Sequence, residues 1–439
     1  MLGSYKIYRR DGEMVIFDPD TLESILLDSN ESILFDRFLL GEYSKEEPSQ
    51  LSLIKEISDL GLPLPAQTVD PKEALNKRLT KLKVRPDTKD LRISGYRIVL
   101  TDKCNMNCKY CFVSTNTGKP DMEEQDLYES LVYLFKQNKN RREITIQWFG
   151  GEPLIKFNLI EKGVVHCEEL AKKYNIKKVR YSVVTNGVKI TDRMLSHFSK
   201  YKYGIGVSLD GGIDINDYSR NLISGKSAYD IIIKNLERLR NTKGVSLGVN
   251  ITPTRLNHNK MLEITKYVIH KLDIKFIYVN FPIPVNGCWE VSGSELAKSF
   301  FEARYYALSQ GAMFFSAIER VYQALDSRQP KVIDHVACDG GLSAALLPKK
   351  VISFCDINWE NPDFLVAIND IVEISKRIQD MEKPLLKEEQ CYSCTARQIC
   401  GGVPLNDQYL LGSNFPDKEF CSFYTSALEL CLWDGTCIQ

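Results

Sequence analysis

The chain reads as an α/β protein with a central parallel sheet. Three observations predict this. Between about residues 93 and 310 apolar strand-like runs alternate with helical patterns, the signature of βαβ units. The 439 residues, 44% of them hydrophobic, suffice for roughly two to three domains with real cores. The 13 cysteines are concentrated just after the first of these strands and again near the end of the chain.

Residues 1–66 carry strand signals at Lys6-Ile-Tyr8, Met14–Phe17 and Ser24–Leu27, with a turn at Asp18-Pro-Asp20. A helix is expected from about Glu31 to Leu40, capped near Ser29 and closed by Gly41. A second is expected from Ser49 to Leu60, with Gly61 beyond its end. Residues 67–92, rich in Lys, Asp and Pro, read as a linker. The candidate strands of the next region are 95–101, 143–149, 179–184, 203–209, 245–251 and 275–281. Helical patterns lie between them, for example Asp126–Gln137, Ile160–Lys173 and Tyr229–Arg240. Residues 311–439 form the second cysteine-dense region.

Lys plus Arg equals Asp plus Glu at 57 each, so no global field favours nucleic acid or an acidic membrane. The stretch Lys136–Arg142 reads as solvated surface, and the N-terminus lacks a secretory h-region. No apolar run reaches the ~18–20 residues needed to cross a bilayer. The expectation is a cytoplasmic protein without nucleic-acid or membrane partners. In a large cytosolic protein, clustered cysteines point to metal or redox chemistry rather than disulfides. Only five histidines accompany them, so the metal would be held mainly by thiolate.

Cys104, Cys108 and Cys111 follow the first strand in a CxxxCxxC array. Three thiolates on a short loop can hold three corners of a cubic iron–sulfur cluster. An ordinary electron-transfer [4Fe–4S] centre takes four cysteines, so a local set of three leaves one iron open to a chelating molecule. Short Cys spacings also suit tetrahedral zinc. After the second strand comes Gly150-Gly151-Glu152-Pro153, where paired glycines permit close backbone approach to a ligand and the carboxylate can accept from an ammonium group. Strand ends also deliver Asn186, Ser208, Asp210 and Asn250 to one rim, the ligand-bearing face of parallel barrels. Ser208, Asp210 and Asn250 individually read equally well as strand-end caps.

The Cys104, Cys108, Cys111 array and Gly150–Pro153 together resemble the radical S-adenosylmethionine (radical SAM) family. That resemblance implies a partial (β/α)6 TIM barrel, a [4Fe–4S] cluster on the three cysteines, and S-adenosylmethionine (SAM) on the open iron. It implies that Gly150, Gly151, Glu152 and Pro153 bind the methionine amino group. Asn216-Asp-Tyr-Ser-Arg220 resembles the family's HDxxR segment, which assigns Arg220 to the SAM carboxylate. Asn216 stands where the family has His. Asn186, Ser208, Asp210 and Asn250 would meet the nucleoside, while Tyr110 and Phe112 would shield the cluster and line the adenine site. The chemistry implied is one-electron cleavage of SAM to a 5′-deoxyadenosyl radical that abstracts hydrogen from an unactivated carbon.

The β-β-β-α-α order of residues 1–66 is similar to the winged-helix-like element that binds leader peptides in ribosomal peptide maturation, with the leader added along a sheet edge. A plain cap on the barrel and a DNA-binding winged helix are the alternatives, the latter weakened by the shortage of Arg in both helices. Cys391, Cys394, Cys400 and Cys421 resemble a ligand set of the SPASM extension, which holds auxiliary [4Fe–4S] clusters, and four thiols also suit zinc. Cys338 and Cys355 would belong to a second auxiliary site. Pro404 stands where that site's further cysteine is usual, and Lys350 replaces a glycine ahead of Cys355. The site is then without a cluster, holds one with an open iron, or uses Cys431 or Cys437. Cys167 and Cys288 read as small buried hydrophobes.

The reading expected is a peptide maturase that crosslinks side chains, by C–C or thioether bonds, in a precursor peptide delivered by its leader. A flavodoxin or ferredoxin would be the external one-electron reductant. Peptide epimerisation, formylglycine formation of the anaerobic sulfatase-maturase kind, and a zinc-stabilised DNA-binding regulator are the competing readings.

Overall fold

The computed structural model describes residues 5–42, 48–59, 95–113, 115–282, 291–329, 343–353, 359, 361–370, 389–400, 402 and 418–434. The linker 67–92, Gly61, Cys288, Cys338, Cys355, Pro404 and Cys437 lie outside them.

The N-terminal unit opens with an antiparallel sheet, β1 (Lys6–Arg10), β2 (Glu13–Phe17) and β3 (Ser24–Leu27), in the order β1-β2-β3. Asp11 and Gly12, with φ of 53° and 86°, make the two-residue turn between β1 and β2. Asp-Gly is the pair that turns of this hand demand. Helix Ser29–Leu39 follows, and its N-cap is Asp28, one residue earlier than expected. The Asp28 carboxylate accepts from the Asn30 and Glu31 amides, and Glu31 accepts from the Asp28 amide, a reciprocal capping box. Helix Pro48–Asp59 completes the unit. Met14 and Ile16 face these helices, packing with Phe35, Leu53 and Ile57. Val15 and Phe17 point the other way, into the main core.

The central sheet contains all six expected strands, as β4 (Gly95–Val99), β6 (Glu143–Phe149), β7 (Lys178–Thr185), β8 (Gly204–Ser208), β10 (Ser246–Ile251) and β11 (Phe276–Val279). All are parallel. Two three-residue strands, β5 (Met106–Cys108) and β9 (Arg220–Leu222), form a separate antiparallel ladder. The sheet continues past residue 310: β12 (Met313–Phe315) adds parallel to β11, and β13 (Ser343–Leu347) parallel to β4. Antiparallel β14 (Val351–Ser353) and β15 (Leu365–Ala367) extend that edge, giving the order β12-β11-β10-β8-β7-β6-β4-β13-β14-β15.

Alternate residues such as Ile146, Trp148, Val183 and Val207 face the crossover helices, among them Glu124–Gln137, Phe157–Lys173 and Tyr229–Arg240. On the opposite face Val99, Ala345, Leu347 and Trp359 pack with Phe112 and Phe149. The long helix Gly293–Ser309 crosses helix Lys418–Trp433, and this contact joins the C-terminal region to the sheet's helices.

Candidate functional site

The backbone fixes the Cys104–Cys111 loop from three sides. Asn116 clamps its start, accepting from the Cys104 amide through Oδ1 and donating from Nδ2 to the Cys104 carbonyl, both at 3.2 Å. The ladder of β5 and β9 pairs Cys108 with Arg220 in register. The segment after β6 supplies the third support, where the Gly151 and Glu152 amides donate to the carbonyls of Thr101 and Lys103, each at 2.8 Å. Gly150 and Gly151 make their close approach to this loop, because a Cβ on Gly150 would lie 2.4 Å from the Thr101 carbonyl oxygen and one on Gly151 2.4 Å from that of Lys103. The paired glycines therefore let the loop seat on β6.

Glu152 is buried and caps the short 3-10 turn Pro153–Lys156, with Pro153 at its first position. Its Oε1 accepts from the Leu154 amide and the Thr185 hydroxyl, and its Oε2 from the Asn186 amide. Burial raises its pKa, so a cation arriving beside it would be favoured. The Asn186 side chain donates to Asn105 Oδ1 at 2.7 Å and lies 3.8 Å from Cys104 Sγ. Burial also raises the thiols, Cys104 to about 11, Cys111 to about 12, and Cys108 above its usual range.

Opposite Glu152 a second buried network forms. Tyr110 donates to Asp210 Oδ2 at 2.7 Å, and Arg220 Nη1 donates to the Tyr110 hydroxyl at 2.6 Å. Asp210 Oδ1 accepts from the Thr252 amide, and Asn257 Nδ2 donates to the Asp210 carbonyl. Arg220 Nε is buried without a hydrogen-bond partner among the described residues. A buried donor left unmade costs about 1–3 kcal/mol, so this atom favours an acceptor from outside the chain. Asn216 is buried in helix Ile213–Ser219, with Oδ1 likewise unpartnered.

Ser208 and Asn250 are register partners at the ends of β8 and β10. The Asn250 amide leans over Gly206, where a Cβ would meet its Nδ2 at 2.3 Å. Phe112 stacks on Phe149 and meets Trp359 edge-on. The site thus unites the three cysteines with Glu152, Asn186, Tyr110, Asp210 and Arg220. Asn105, Asn116 and Asn257 were missed from sequence. The φ of 59° at Asn116 marks the left-handed conformation Asn tolerates, but single Asn residues in loops are too common to single one out.

In the C-terminal region Cys391, Cys394, Cys400 and Cys421 line one cavity of about 190 Å³, with Phe420 and Tyr424 as its apolar wall. Cys391 and Cys394 come from the turn at helix Glu389–Tyr392, Cys400 from helix Arg397–Cys400 and Cys421 from helix Lys418–Trp433. Cys104, Cys108, Cys111, Cys167, Cys394 and Cys400 are free thiols. Among the described residues, no three Cys, His, Asp or Glu side chains converge on a point for one metal ion. Thiols ringing a cavity fit a multi-iron group, which spreads its ligands wider than a tetrahedral ion does. Lys350 has φ of 60° in the turn between β13 and β14, the left-handed conformation glycine adopts most readily, and its Nζ pairs with Glu129 at 2.7 Å. The chain therefore keeps the turn without the glycine. Cys431 is buried in helix Lys418–Trp433 and Cys167 in helix Phe157–Lys173.

Comparison with known proteins places this geometry among relatives. Residues 98–268 match the family model described as the Radical SAM superfamily. An uncharacterized protein of Methanocaldococcus jannaschii is 31% identical over 170 residues, which cover 39% of this chain and 56% of that protein. The radical SAM cyclopropyl synthase TigE of Paramaledivibacter caminithermalis is 29% identical over 163 residues, 34% of this chain and 33% of that enzyme. The chain thus spans from a third to just over half of the length of these relatives. Among solved structures, the anaerobic sulfatase-maturating enzyme anSMEcpe with bound SAM has a TM-score of 0.65 at 18% identity, covering 77% of this chain and 97% of that one. SuiB of Streptococcus suis bound to its precursor peptide SuiA has a TM-score of 0.58 at 16% identity, covering 95% and 99%. At these identities the structures show a shared fold.

Proposed function

Residues 98–268 form a radical SAM domain, and on that premise we propose that this chain is a peptide maturase that crosslinks side chains of a ribosomally made precursor. The observation that carries the reading is the three-thiol loop locked between Glu152 and Arg220, with Arg220 Nε lacking a partner among the described residues. Such a domain implies a [4Fe–4S] cluster and SAM, and the residues present fit both. Cys104, Cys108 and Cys111 would hold the cluster. Glu152 would accept from the methionine ammonium, and Arg220 would donate to its carboxylate through Nε. When bound, these groups supply one-electron reductive cleavage of a sulfonium. The chain's own task is to hold SAM's two charged ends, with Asn186, Ser208 and Asn250 at the rim beside them, and to exclude water from the thiols.

A peptide substrate is supported by likeness to SuiB, which extends over the N-terminal unit as well as the sheet. In this reading residues 1–66 receive the leader along an open edge of β1 or β3, residues 67–92 connect, 93–310 catalyse, and 311–439 carry the auxiliary centre. That centre, on Cys391, Cys394, Cys400 and Cys421, would accept the electron left after bond closure, and Cys338 and Cys355 would serve a second. A flavodoxin or ferredoxin would supply the first electron. Among the described residues no helix is long and apolar enough to cross a membrane, and we place the reaction in the cytoplasm. Formylglycine formation is the second reading, favoured by the likeness to anSMEcpe.

The test is anaerobic reconstitution with iron, sulfide, a strong reductant and SAM. Formation of 5′-deoxyadenosine is expected, and intact SAM would sink the proposal. Mass spectrometry of a co-expressed precursor then separates the chemistries: epimerisation leaves the mass unchanged, formylglycine from Cys exchanges its sulfur for oxygen, and a crosslink and formylglycine from Ser each remove two hydrogens, which fragmentation assigns to two joined residues or to one aldehyde-bearing residue.

A further inference from the structure

The turn between β2 and β3 contacts the segment that carries the C-terminal thiols. Asp20, its side chain 12% exposed and that of its partner Arg397 3%, lies on this turn, and its Oδ1 accepts from Arg397 Nε at 3.1 Å and Nη2 at 2.5 Å. Arg397 Nη1 donates to the Cys394 carbonyl at 3.0 Å, so one guanidinium bridges the turn and the thiol loop. The neighbouring Gln398 donates from Nε2 to the Asp20 carbonyl at 2.8 Å. Both Arg397 and Gln398 lie between Cys394 and Cys400, the segment that wraps the cavity. The turn is itself braced, since Asp18 accepts from the Asp20 amide and the Thr21 hydroxyl.

We propose that Asp20 is a positioning residue of the C-terminal four-thiol centre: through Arg397, which lines the cavity, it fixes the Cys394–Cys400 segment and sets the local charge beside it. The proposal rests on the reading of those thiols as cluster ligands. Three physical points carry it. Two guanidinium nitrogens converge on the single oxygen Asp20 Oδ1 while a third holds the Cys394 carbonyl, so the pair transmits position as well as charge. The pair is desolvated, and its Coulomb interaction is therefore screened far less than a surface pair's. A cluster's reduction potential responds to nearby charge, which gives the pair a readout beyond stability.

The consequence is a linkage between two ends of the chain. A peptide strand added along β3 would lie next to the turn that holds Asp20, because β3 begins at Ser24 and pairs with β2 on one side. Any shift of the turn on binding would reach Cys394 and Cys400 through Arg397, and by reciprocity the state of the centre would alter binding at the sheet.

The experiment uses the full chain with Cys104, Cys108, Cys111, Cys338 and Cys355 replaced by Ala, so that iron is read at the C-terminal centre alone. After anaerobic reconstitution, iron and sulfide are counted and the midpoint potential is measured by redox titration followed by electron paramagnetic resonance. Asp20→Asn leaves the Arg397 charge uncompensated and is expected to shift the potential upward. Arg397→Gln removes that charge and is expected to shift it downward, while the double variant returns toward the parent. Asp20→Glu keeps the charge and should hold the sign of the parent potential relative to both, which separates positioning from misfolding. Potentials that match the parent in Asp20→Asn and Arg397→Gln, with iron retained, would overturn the coupling and leave the cluster reading intact. Absence of iron and sulfide from the parent background would overturn both.

Discussion

Buried thiols take metal only by losing protons. Cys104 and Cys111, held near 11 and 12, are neutral at pH 7 without a cluster, so iron loading must release their protons. The iron-binding constant is therefore expected to rise with pH between 7 and 9, by about tenfold per pH unit for each proton displaced. An anaerobic iron titration across that window checks it, and a flat profile would contradict the thiols as ligands. Arg220 bears on the next residue-scale expectation. Replacing it with Lys keeps a charge but loses the fork that reaches Tyr110 and offers Nε to an acceptor. At about 1.5–3 kcal/mol for a hydrogen bond to a charged group, KM for SAM should rise roughly ten- to hundredfold, measured as uncoupled 5′-deoxyadenosine formation. The residue types of this site were legible because thiol spacing and a Gly-Gly-Glu-Pro turn are chemically specific. That the glycines also seat the cysteine loop on β6 was not legible, since a sequence cannot say which other loop a backbone approaches.

Among the elements, the long strands and helices followed from periodicity. Strand β6 spans Glu143–Phe149, as expected, and the helix expected at Tyr229–Arg240 has those bounds. The ladder of β5 and β9 and the added strands β12 and β13 escaped because they are three to five residues long and pair with segments far away in the chain, while β14 and β15 are only three residues each. One element contact sets a sharp test. A Cβ on Gly293 would lie 1.9 Å from the Glu419 carbonyl oxygen and 2.7 Å from the Phe423 amide nitrogen, while the Gly293 amide donates to Glu419 Oε2 at 2.7 Å. Gly293→Ala must push helix Gly293–Ser309 from helix Lys418–Trp433, at about 1–3 kcal/mol or more. The expected outcome is a lower Tm together with loss of iron at Cys421, read by thermal unfolding and metal analysis; an unchanged Tm would refute the close crossing.

At the scale of the molecule, the middle strand of the N-terminal sheet, β2, is buried on both faces. Its Met14 and Ile16 serve their own helices, while Val15 and Phe17 join the core shared with the central sheet. Around this seam lie the Asp20–Arg397 pair, the Arg328–Glu23 pair at 3.0 Å and the Arg10 guanidinium over Trp433. The two exposed members, Arg328 and Arg10, contribute little, since screened pairs are worth about 0–1 kcal/mol. The buried pair differs, because removing one partner strands a desolvated charge. Asp20→Ala should cost about 3–5 kcal/mol, read as a fall in the midpoint of anaerobic urea unfolding. A loss under about 1 kcal/mol would show that water reaches the pair.

The sequence alone determined which chemistry the chain can hold and the α/β class, because ligand identity, spacing and hydrophobic period are local properties. Tertiary structure alone decided that Cys108 sits in register with Arg220, that four thiols from three helical segments share one cavity, and that Asp20 answers Arg397 across 377 residues. These contacts depend on chain closure over long distances, where many pairings satisfy the same local pattern and only packing selects one.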